Sequence, residues 1–296
     1  MSISSEIKDS FKYGSVLTKL IYVNIAIFLI IRMVRLVMVL GGKPTDSIDH
    51  FISFLRIPSD PMHLLLRPWT IVTYMFVHYD FFHLLFNVLY IYWFGRIFME
   101  IIGERLLLRV YLLGGLSGAL LYMISYNIVP AFKSIYGYSE MLGASASAMA
   151  ILFAVAMYRP DFRVNLMFIG PVRMKYIALV ALLIDLISIS NMNNTGGHIA
   201  HIGGATFGLI FGRMLLLGKI SYPNEKKSKW NFSFGRKNKM NISHKRPLTD
   251  MEYNAIKNQR KRDIDSILEK IKHSGYDSLS KEEKKTLFDA SKDNNF

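Results

Sequence analysis

The chain has 296 residues, of which 51% are hydrophobic, and its formal net charge is +14. A mean hydropathy of +0.25 is high for a soluble domain and ordinary for a protein that crosses a membrane several times. The absence of cysteine excludes a disulfide framework and a thiolate metal site. Much of the positive charge follows residue 218, where it favours contact with anionic lipid headgroups over binding to nucleic acid, and no nucleic-acid partner is expected.

Six apolar runs account for the hydropathy, each at or near the roughly 17–25 residues that a helix needs to cross a bilayer. The fourth run is short and the fifth contains Asp185, so both assignments depend partly on their neighbours. The first run contains Arg32 and Arg35 and is too long for a cleavable signal peptide. The pattern predicts an all-α polytopic membrane protein, a six-transmembrane-helix bundle with spans near residues 17–39, 80–99, 106–127, 143–158, 174–190 and 199–217.

The charges of the loops predict how this bundle is oriented. In segment 159–175, four basic residues stand against one acid, Asp161, and the positive-inside rule places such a segment in the cytoplasm. Segment 41–70 is close to neutral and segment 191–198 is uncharged, so both are expected on the outer side. An even number of spans then places both termini in the cytoplasm. A compact chain without a transit-like N-terminus favours the bacterial plasma (inner) membrane, with the starts of spans two, four and six at the outer side.

Strongly polar residues lie where spans two, four and six begin, at one predicted depth in the membrane. His83 and Asn87 are four residues apart and share a face of span two. Ser145 opens span four, and His198 and His201 open span six. Polar side chains inside a bilayer are costly and by default mark a functional site. Their repetition on three spans predicts that they converge.

Small residues predict that spans four and six touch. A spacing of four places three glycines on one stripe of span six. In span four, alanine at every second position keeps the side chains small. Small residues let helix backbones approach closely in a membrane. The residues concerned are Gly204, Gly208 and Gly212 on span six, and Ala144, Ala146, Ala148 and Ala150 on span four.

This contact makes nucleophilic catalysis the favoured chemistry. Ser145 is a poor nucleophile unless a base takes its proton, and His201 is the natural base across the contact. A tetrahedral oxyanion also needs hydrogen-bond donors. His83, Asn87 and the backbone N–H of Ser145, at a helix N-terminus, are the candidates.

Four motifs, in order, resemble those of the rhomboid intramembrane serine proteases over roughly residues 15–217. They are Arg67-Pro68-Trp69, then His78-x4-His83-x3-Asn87, then Gly143-Ala144-Ser145, and finally Ala200-His201-Ile202-Gly203-Gly204 with Gly208. The resemblance implies a six-span rhomboid-like bundle and a dyad of Ser145 and His201, with no third acid, no metal and no cofactor. It also implies cleavage of a transmembrane protein substrate near the outer face, with lateral entry gated by span five and the loop after it.

Two positions depart from the family pattern. Ala146 follows the serine where the family usually has glycine, which keeps the backbone N–H as an oxyanion donor. Met149 stands one turn after the serine, where the family commonly has a tyrosine that packs on the histidine ring. A thioether contacts an imidazole but orients it less firmly, so slower turnover or a shifted optimum is compatible with retained activity.

Several polar residues have structural interpretations instead. Ser147 is out of register with the motif and is expected to pack, and His198 is expected to belong to a loop or gate. His78 is favoured as a structural anchor over a member of the site. Trp69 suits an interfacial aromatic anchor, and Arg67 suits a loop strut or a headgroup contact.

Three rival functions fit the sequence less well. A zinc site lacks a carboxylate or third histidine on the helix faces that carry His83 and His201. Asp185 has no partner visible in the sequence; it is expected either to pair with a polar group or to be protonated, and no catalytic role is assigned to it. Inactive rhomboid-like proteins that bind and escort membrane clients usually lose the serine or the histidine, and this chain keeps both. A transporter would show inverted repeats or paired charges across spans, and this sequence shows neither.

The sequence divides into four parts. A cytoplasmic N-terminal segment, 1–16, precedes the membrane domain 17–217, and a basic linker follows at 218–248. The tail 249–296 is cytoplasmic and begins with a capping-box pattern at Thr249, after which apolar residues recur at partly helical spacing. It predicts a small helical hairpin whose partner is unknown.

Overall fold

The structure is a computed structural model that describes residues 3–133, 137–167, 169–190, 194–220, 250–280, 282–284 and 286–287. The chain divides into two compact units, Met1–Lys226 and Lys227–Phe296. Most of the predicted basic linker 218–248 lies outside the described residues, as does part of the loop 191–198.

The first unit is almost entirely helical. Its helices are α1 (Ile3–Tyr13), α2 (Val16–Leu40), α3 (Thr45–Ser53), α4 (Pro61–Leu66), α5 (Thr70–Thr73), α6 (Phe81–Ile101), α7 (Glu104–Ile128), α8 (Ser145–Tyr158), α9 (Met174–Ile189) and α10 (Thr195–Leu216). Two antiparallel strand pairs complete it, β1 (Ile57–Pro58) with β2 (Glu140–Met141), and β3 (Arg163–Leu166) with β4 (Gly170–Arg173).

A helix forms over each of the six predicted apolar runs. Among the described residues, four of these helices, α2, α6, α7 and α10, are long and apolar enough to cross a membrane by length and composition. Helix α8 has 14 residues and α9 has 16. At 1.5 Å per residue they extend about 21–24 Å, which is less than the roughly 30 Å of a hydrocarbon core.

The connecting segments gather the starts of α6, α8 and α10 at one end of the unit. Strand pairing sets Ile57 opposite Met141 and so joins the segment before α6 to the segment before α8. Residues Asp80, Glu140 and Asn194, which precede α6, α8 and α10 respectively, line one common cavity. The predicted convergence of the three helix ends is therefore observed.

Helix α8 forms the centre of the first unit, since every residue from Ala146 to Ala156 is buried. Each glycine of the stripe on α10 has no room for a side chain, because a Cβ there would meet a carbonyl oxygen of α8. The pairs are Gly204 with Ala146, Gly208 with Ala150, and Gly212 with Ala154. The predicted close contact between these two helices is confirmed.

Helix α7 packs against α8 in the same manner. A Cβ at Gly118 would lie 2.6 Å from the Cβ of Ala146, and one at Gly114 would meet the Cβ of Ala150. The central helix is thus enclosed by glycines of α7 and of α10, which lets three helix backbones approach each other closely.

The second unit contains α11 (Asp250–Ser274), which ends at Gly275, where φ is +76°. A capping box follows: Glu283 Oε2 accepts from the Ser280 N–H at 2.7 Å, and Ser280 Oγ accepts from the Glu283 N–H at 3.2 Å. Lys270 of α11 pairs with Glu283 at 2.9 Å.

The contact between α8 and α10 makes Gly208→Ala destabilising. In an open helix this change is favourable by roughly 1 kcal/mol. Here the methyl group meets a backbone carbonyl that cannot rotate away, and overpacking typically costs about 1–3 kcal/mol. We expect a lower thermal unfolding midpoint in detergent. Thr206→Ala, at an exposed position of the same helix, is the control and should change little; a raised midpoint for Gly208→Ala would show that the contact is looser than described.

Candidate active site

The starts of α6, α8 and α10 meet at a cavity of about 350 Å³. Its lining includes five residues that the sequence assigned to the site or its support: Ser145, His201, His83, Asn87 and Met149. Three helices that are distant in sequence therefore place a hydroxyl, two imidazoles and an amide around one space.

A sharp turn delivers Ser145 to this cavity as the first residue of α8. Gly143 has φ of +126°, which residues with side chains rarely adopt, and its N–H donates to the carbonyl of Tyr74 at 2.9 Å. A Cβ at Gly143 would lie 2.9 Å from His83 Nε2 and 3.6 Å from Ser145 Oγ. The bare glycine therefore lets the His83 ring and the Ser145 hydroxyl approach the same point.

The N-terminus of α8 supplies backbone donors. Ala144 is its N-cap residue and offers no side-chain acceptor, and its carbonyl accepts from the N–H of Ala148 at 3.0 Å. The N–H groups of Ser145 and Ala146 precede that first bond, so they have no partner within the helix. The helix dipole adds partial positive charge at this position, which favours a developing anion.

The local hydrogen bonds of His83 determine which ring nitrogen carries its proton. Asp80 caps α6 by accepting from the backbone N–H of His83 at 2.9 Å. The backbone N–H of Tyr79 donates to His83 Nδ1 at 3.3 Å, so that nitrogen is an acceptor and the proton lies on Nε2. The Nε2–H group is then the donor that faces Gly143. Asn87 donates one amide hydrogen to the His83 carbonyl at 2.8 Å and keeps a second one.

The structure shows the polar partners of Asp185, which the sequence could not identify. Its Oδ1 lies 2.8 Å from Nδ1 of His201 and 2.8 Å from Nδ1 of His198. The carboxylate is 7% exposed and belongs to the lining of the cavity. The resemblance implies a dyad with no third acid, yet this carboxylate contacts the ring of His201, and His198 is a partner of the same carboxylate as well as a residue near a loop.

One signal in the sequence could have found Asp185. A carboxylate in an apolar helix such as α9 is costly and must find a polar partner. What the sequence does not contain is the rotation of α9 about its axis, which decides whether that partner lies on α10.

Tyr90 is a second residue that sequence reasoning missed. It lines the cavity from α6, and its hydroxyl lies 3.8 Å from Sδ of Met149. An aromatic ring thus lies beside the site although the position one turn after Ser145 holds a methionine. Met149 itself is buried.

Two of the predicted positions, His78 and Ser147, do not line the cavity. His78 is 4% exposed, and its ring meets that of His83 edge-on at a centroid distance of 5.2 Å. Ser147 is buried and faces α7, where its Oγ would be 2.8 Å from a Cβ at Gly115. Ala146, Gly204 and Gly208 lie in the contact between α8 and α10.

Arg67 and Trp69 brace the segment before α6. The guanidinium of Arg67 lies over the ring of Phe54 at 4.4 Å and its Nη1 is 3.9 Å from Glu140. The indole N–H of Trp69 donates to the Phe54 carbonyl at 2.7 Å. Both side chains therefore hold a connecting segment and take no part in the cavity itself.

Comparison with known families agrees with this arrangement. Residues 66–218, just over half of the chain, match the Rhomboid domain family. The chain belongs to the rhomboid family. The prediction made from the motifs is thus confirmed, and the rhomboid match ends close to the end of α10. Residues 249–293 match a family of unknown function (DUF6576).

Two curated rhomboid relatives are similar to part of this chain. The RHOMBOID-like protein 12, mitochondrial, of Arabidopsis thaliana is 27% identical over 164 residues, which cover 53% of this chain and 49% of that protein. The Presenilin-associated rhomboid-like protein A, mitochondrial, of Danio rerio is 30% identical over 139 residues, which cover 45% of this chain and 34% of that protein. The matched region thus spans about half or less of each relative.

The same relatives correct the predicted location. Both are named as mitochondrial proteins, which points to a mitochondrial membrane and overturns the expectation of a bacterial plasma membrane with cytoplasmic termini. The expectation was wrong because it rested on the N-terminal residues, whose lack of a transit-like pattern does not identify the membrane that holds the bundle. The charges of the loops report only its relative sidedness.

The buried His78 predicts a stability that falls in acid. Burial, and to a smaller extent the neighbouring His83, lowers the pKa of His78 from 6.5 to about 4. Between these values the unfolded chain binds a proton that the folded chain does not, so the free energy of unfolding falls as the pH drops, by about 3 kcal/mol in full. His78→Gln should flatten this slope in denaturation series between about pH 7 and about pH 4.5. An unchanged slope would assign the acid sensitivity to other groups.

Proposed function

We propose that this rhomboid protein is an intramembrane serine endopeptidase that cleaves transmembrane segments of membrane-protein substrates. The observation that carries the proposal is the cavity shared by Ser145, His201, His83 and Asn87. A hydroxyl, an imidazole and additional N–H donors are the groups that a serine needs to hydrolyse a peptide bond. Membership of a family that generally consists of intramembrane serine proteases supports the same activity.

The reaction begins when Ser145 Oγ attacks the carbonyl carbon of the scissile bond while its proton passes to Nε2 of His201. The new C–O bond gives a tetrahedral intermediate with a negative oxygen. The C–N bond then breaks, and His201 gives its proton to the leaving amine. Water then attacks the acyl-enzyme while its proton passes to His201. The bond to Ser145 Oγ breaks, His201 returns the proton to the serine, and the new carboxyl group is released.

The oxyanion is held by three donors in this proposal. They are Nε2–H of His83, the free amide hydrogen of Asn87 and the backbone N–H of Ser145. The hydrogen bond that His83 Nδ1 accepts from Tyr79 supports this role, because it keeps the proton of His83 on the nitrogen near Gly143. Donors placed in advance at a site with little water stabilise the transition state strongly.

Asp185 is a positioning residue for His201 in this proposal. When Nδ1–H of His201 donates to the carboxylate, the lone pair of the neutral ring is on Nε2, the nitrogen available to Ser145. The same carboxylate stabilises the imidazolium that forms during the attack.

We further propose that α2, α6, α7, α8, α9 and α10 cross the bilayer as six spans within residues 17–217, in a mitochondrial membrane as the names of the relatives suggest. Substrate reaches Ser145 from the end where α6, α8 and α10 begin. A second cavity there, of about 540 Å³, shares His83 and Leu142 with the first. It provides space beside the serine for an extended segment of the substrate.

The first test is cleavage of single-span proteins in liposomes. Ser145→Ala and His201→Ala should each lower the rate by more than about 10³-fold, since both groups take part in every step. Removal of one oxyanion donor, as in Asn87→Ala, should cost about 10²–10³-fold. Ser147→Ala is the matched control, because Ser147 faces α7, and it should cleave like the wild type.

Two results would contradict the proposal. Undiminished cleavage by Ser145→Ala would show that another group is the nucleophile. A wild-type protein that binds single-span proteins and cuts none would support the rival function, binding and escorting membrane clients.

The role of Asp185 has its own test, in which EDTA is present so that no metal ion occupies its carboxylate. Asp185→Asn keeps the shape of the side chain but allows His201 to adopt the other tautomer, so kcat should fall by about 10- to 10⁴-fold with little change in KM. The thermal unfolding midpoint of each preparation separates this effect from misfolding. A folded Asp185→Asn protein with wild-type kcat would exclude the positioning role.

A further inference from the structure

Three ligand-type side chains meet beside the proposed nucleophile. Asp185 extends from α9, and His198 and His201 extend from successive turns of α10. One carboxylate oxygen lies 2.8 Å from Nδ1 of each histidine, and the three potential ligand atoms all lie within 4.8 Å of one another. The side chains of the two histidines are each 19% exposed and that of Asp185 is 7% exposed.

Peptide-bond cleavage does not account for all of this cluster. Orientation of His201 requires a single carboxylate, whereas His198 points the same ring nitrogen at the same oxygen. Two imidazoles and one carboxylate are a ligand set that zinc takes when its fourth position is open. The sequence did not reveal this ligand set because it does not show which helix Asp185 faces. The packing of α9 on α10 brings the Asp185 carboxylate to the two histidines.

We propose that Asp185, His198 and His201 form a binding site for Zn²⁺, and that zinc bound there inhibits the protease. Metal binding is inferred from the cluster alone, and the inhibition rests on the proposed function of His201. Nitrogen and oxygen ligands of this kind favour zinc or a similar transition metal over Mg²⁺ and Ca²⁺, which prefer oxygen alone.

The three ligand atoms, which lie within 4.8 Å of one another, must shift to the positions that zinc requires. Zinc bonds of about 2.0–2.2 Å in a tetrahedron separate neighbouring ligand atoms by about 3.3 Å. The two N···O distances are 2.8 Å, so the carboxylate and the rings must separate by a few tenths of an ångström as the ion enters. The cavity lined by Asp185 and His201 provides the route of entry and leaves the fourth position to water.

Inhibition follows from the ring nitrogen that the ion uses. A neutral imidazole bound to zinc through Nδ1 carries its hydrogen on Nε2. The proton of His201 therefore moves from Nδ1 to Nε2, with no net gain or loss. A protonated Nε2 cannot accept the proton of Ser145, and the carboxylate of Asp185 is occupied by the metal. Without the metal, the contact between Asp185 and Nδ1 of His201 leaves Nε2 free to accept a proton. With zinc bound at Nδ1, Nε2 carries a hydrogen and His201 no longer acts as a base.

Binding is tested first, in a protein that cannot cleave. Zinc chloride is titrated calorimetrically into the purified full chain carrying Ser145→Ala, whose substitution leaves all three ligands in place. We expect one zinc per chain. Asp185→Asn and His198→Asn in this background should each weaken binding by at least about tenfold. His50→Asn, at an exposed position of α3, is the matched histidine control and should bind like its parent.

Inhibition is tested with the protein that has an intact serine. Zinc should abolish cleavage of a single-span substrate in liposomes, and EDTA should restore it. His198→Asn should raise the zinc concentration for half-inhibition by at least about tenfold. If the substituted proteins fail to fold, zinc-edge X-ray absorption on the wild type identifies the ligands directly and should report two imidazoles among nitrogen and oxygen neighbours.

The outcomes separate this inference from the protease proposal. Cleavage that proceeds normally in zinc, with no calorimetric binding, overturns the zinc site and leaves the protease intact. Zinc binding that depends on His198, in a wild-type chain that cleaves nothing, supports the metal site and overturns the protease. Cleavage stimulated by zinc overturns the inhibition, as does zinc binding that is unaffected by both substitutions.

Discussion

The close contact between α8 and α10 fixes the geometry of everything around it. Its three glycine–alanine pairs advance by four residues on both helices, so the helices run parallel and in step. Because Gly204 already touches Ala146, His201, one turn earlier on α10, lies close to the level where α8 begins with Ser145. Hydrogen bonds tolerate only a few tenths of an ångström, whereas a methyl group between two backbones would separate them by more than that. Backbone packing is thus what holds the serine helix and the histidine helix in place.

The same register explains why the cavity exists. Helices α8 and α10 end together, at Tyr158 and Leu216, yet α10 begins at Thr195, eight residues before the residue level with Ser145. At 1.5 Å per residue, α8 therefore starts about 12 Å below the start of α10. The turn at Gly143 and the segment paired through β1 and β2 cover this recess. His198 and His201 lie on the part of α10 that extends beyond the start of α8, where His201 lines the cavity and both rings contact Asp185 of α9.

Sequence reasoning succeeded where a pattern carries its own physical reason. Apolar runs predicted the helices, glycines at a spacing of four predicted the contact of α8 with α10, and Ser145 and His201 stood out as polar residues in apolar helices. It failed for Asp185 and Tyr90, because a single polar residue on a helix does not reveal which neighbour the helix turns towards. The membrane was also misidentified, since the lack of a transit-like pattern near the N-terminus does not specify an organelle, and the charges of Arg159 and its neighbours specify only a side.

The shared carboxylate links the stability of α9 to the chemistry of α10. An ionised carboxylate that is 7% exposed in an apolar helix is tolerable only if hydrogen-bond donors replace the water it has lost. The Nδ1 atoms of His198 and His201 lie 2.8 Å from the carboxylate, where a protonated Nδ1 is such a donor and leaves the lone pair of the neutral ring on Nε2. Removing His198 would leave Asp185 with one donor fewer and would alter the field at His201 although His198 itself is not part of the cavity lining. The buried acid of α9 and the additional histidine of α10 therefore act as one physical unit: His198 helps to stabilise the carboxylate that contacts His201, and in the proposed mechanism that carboxylate sets the tautomer of His201.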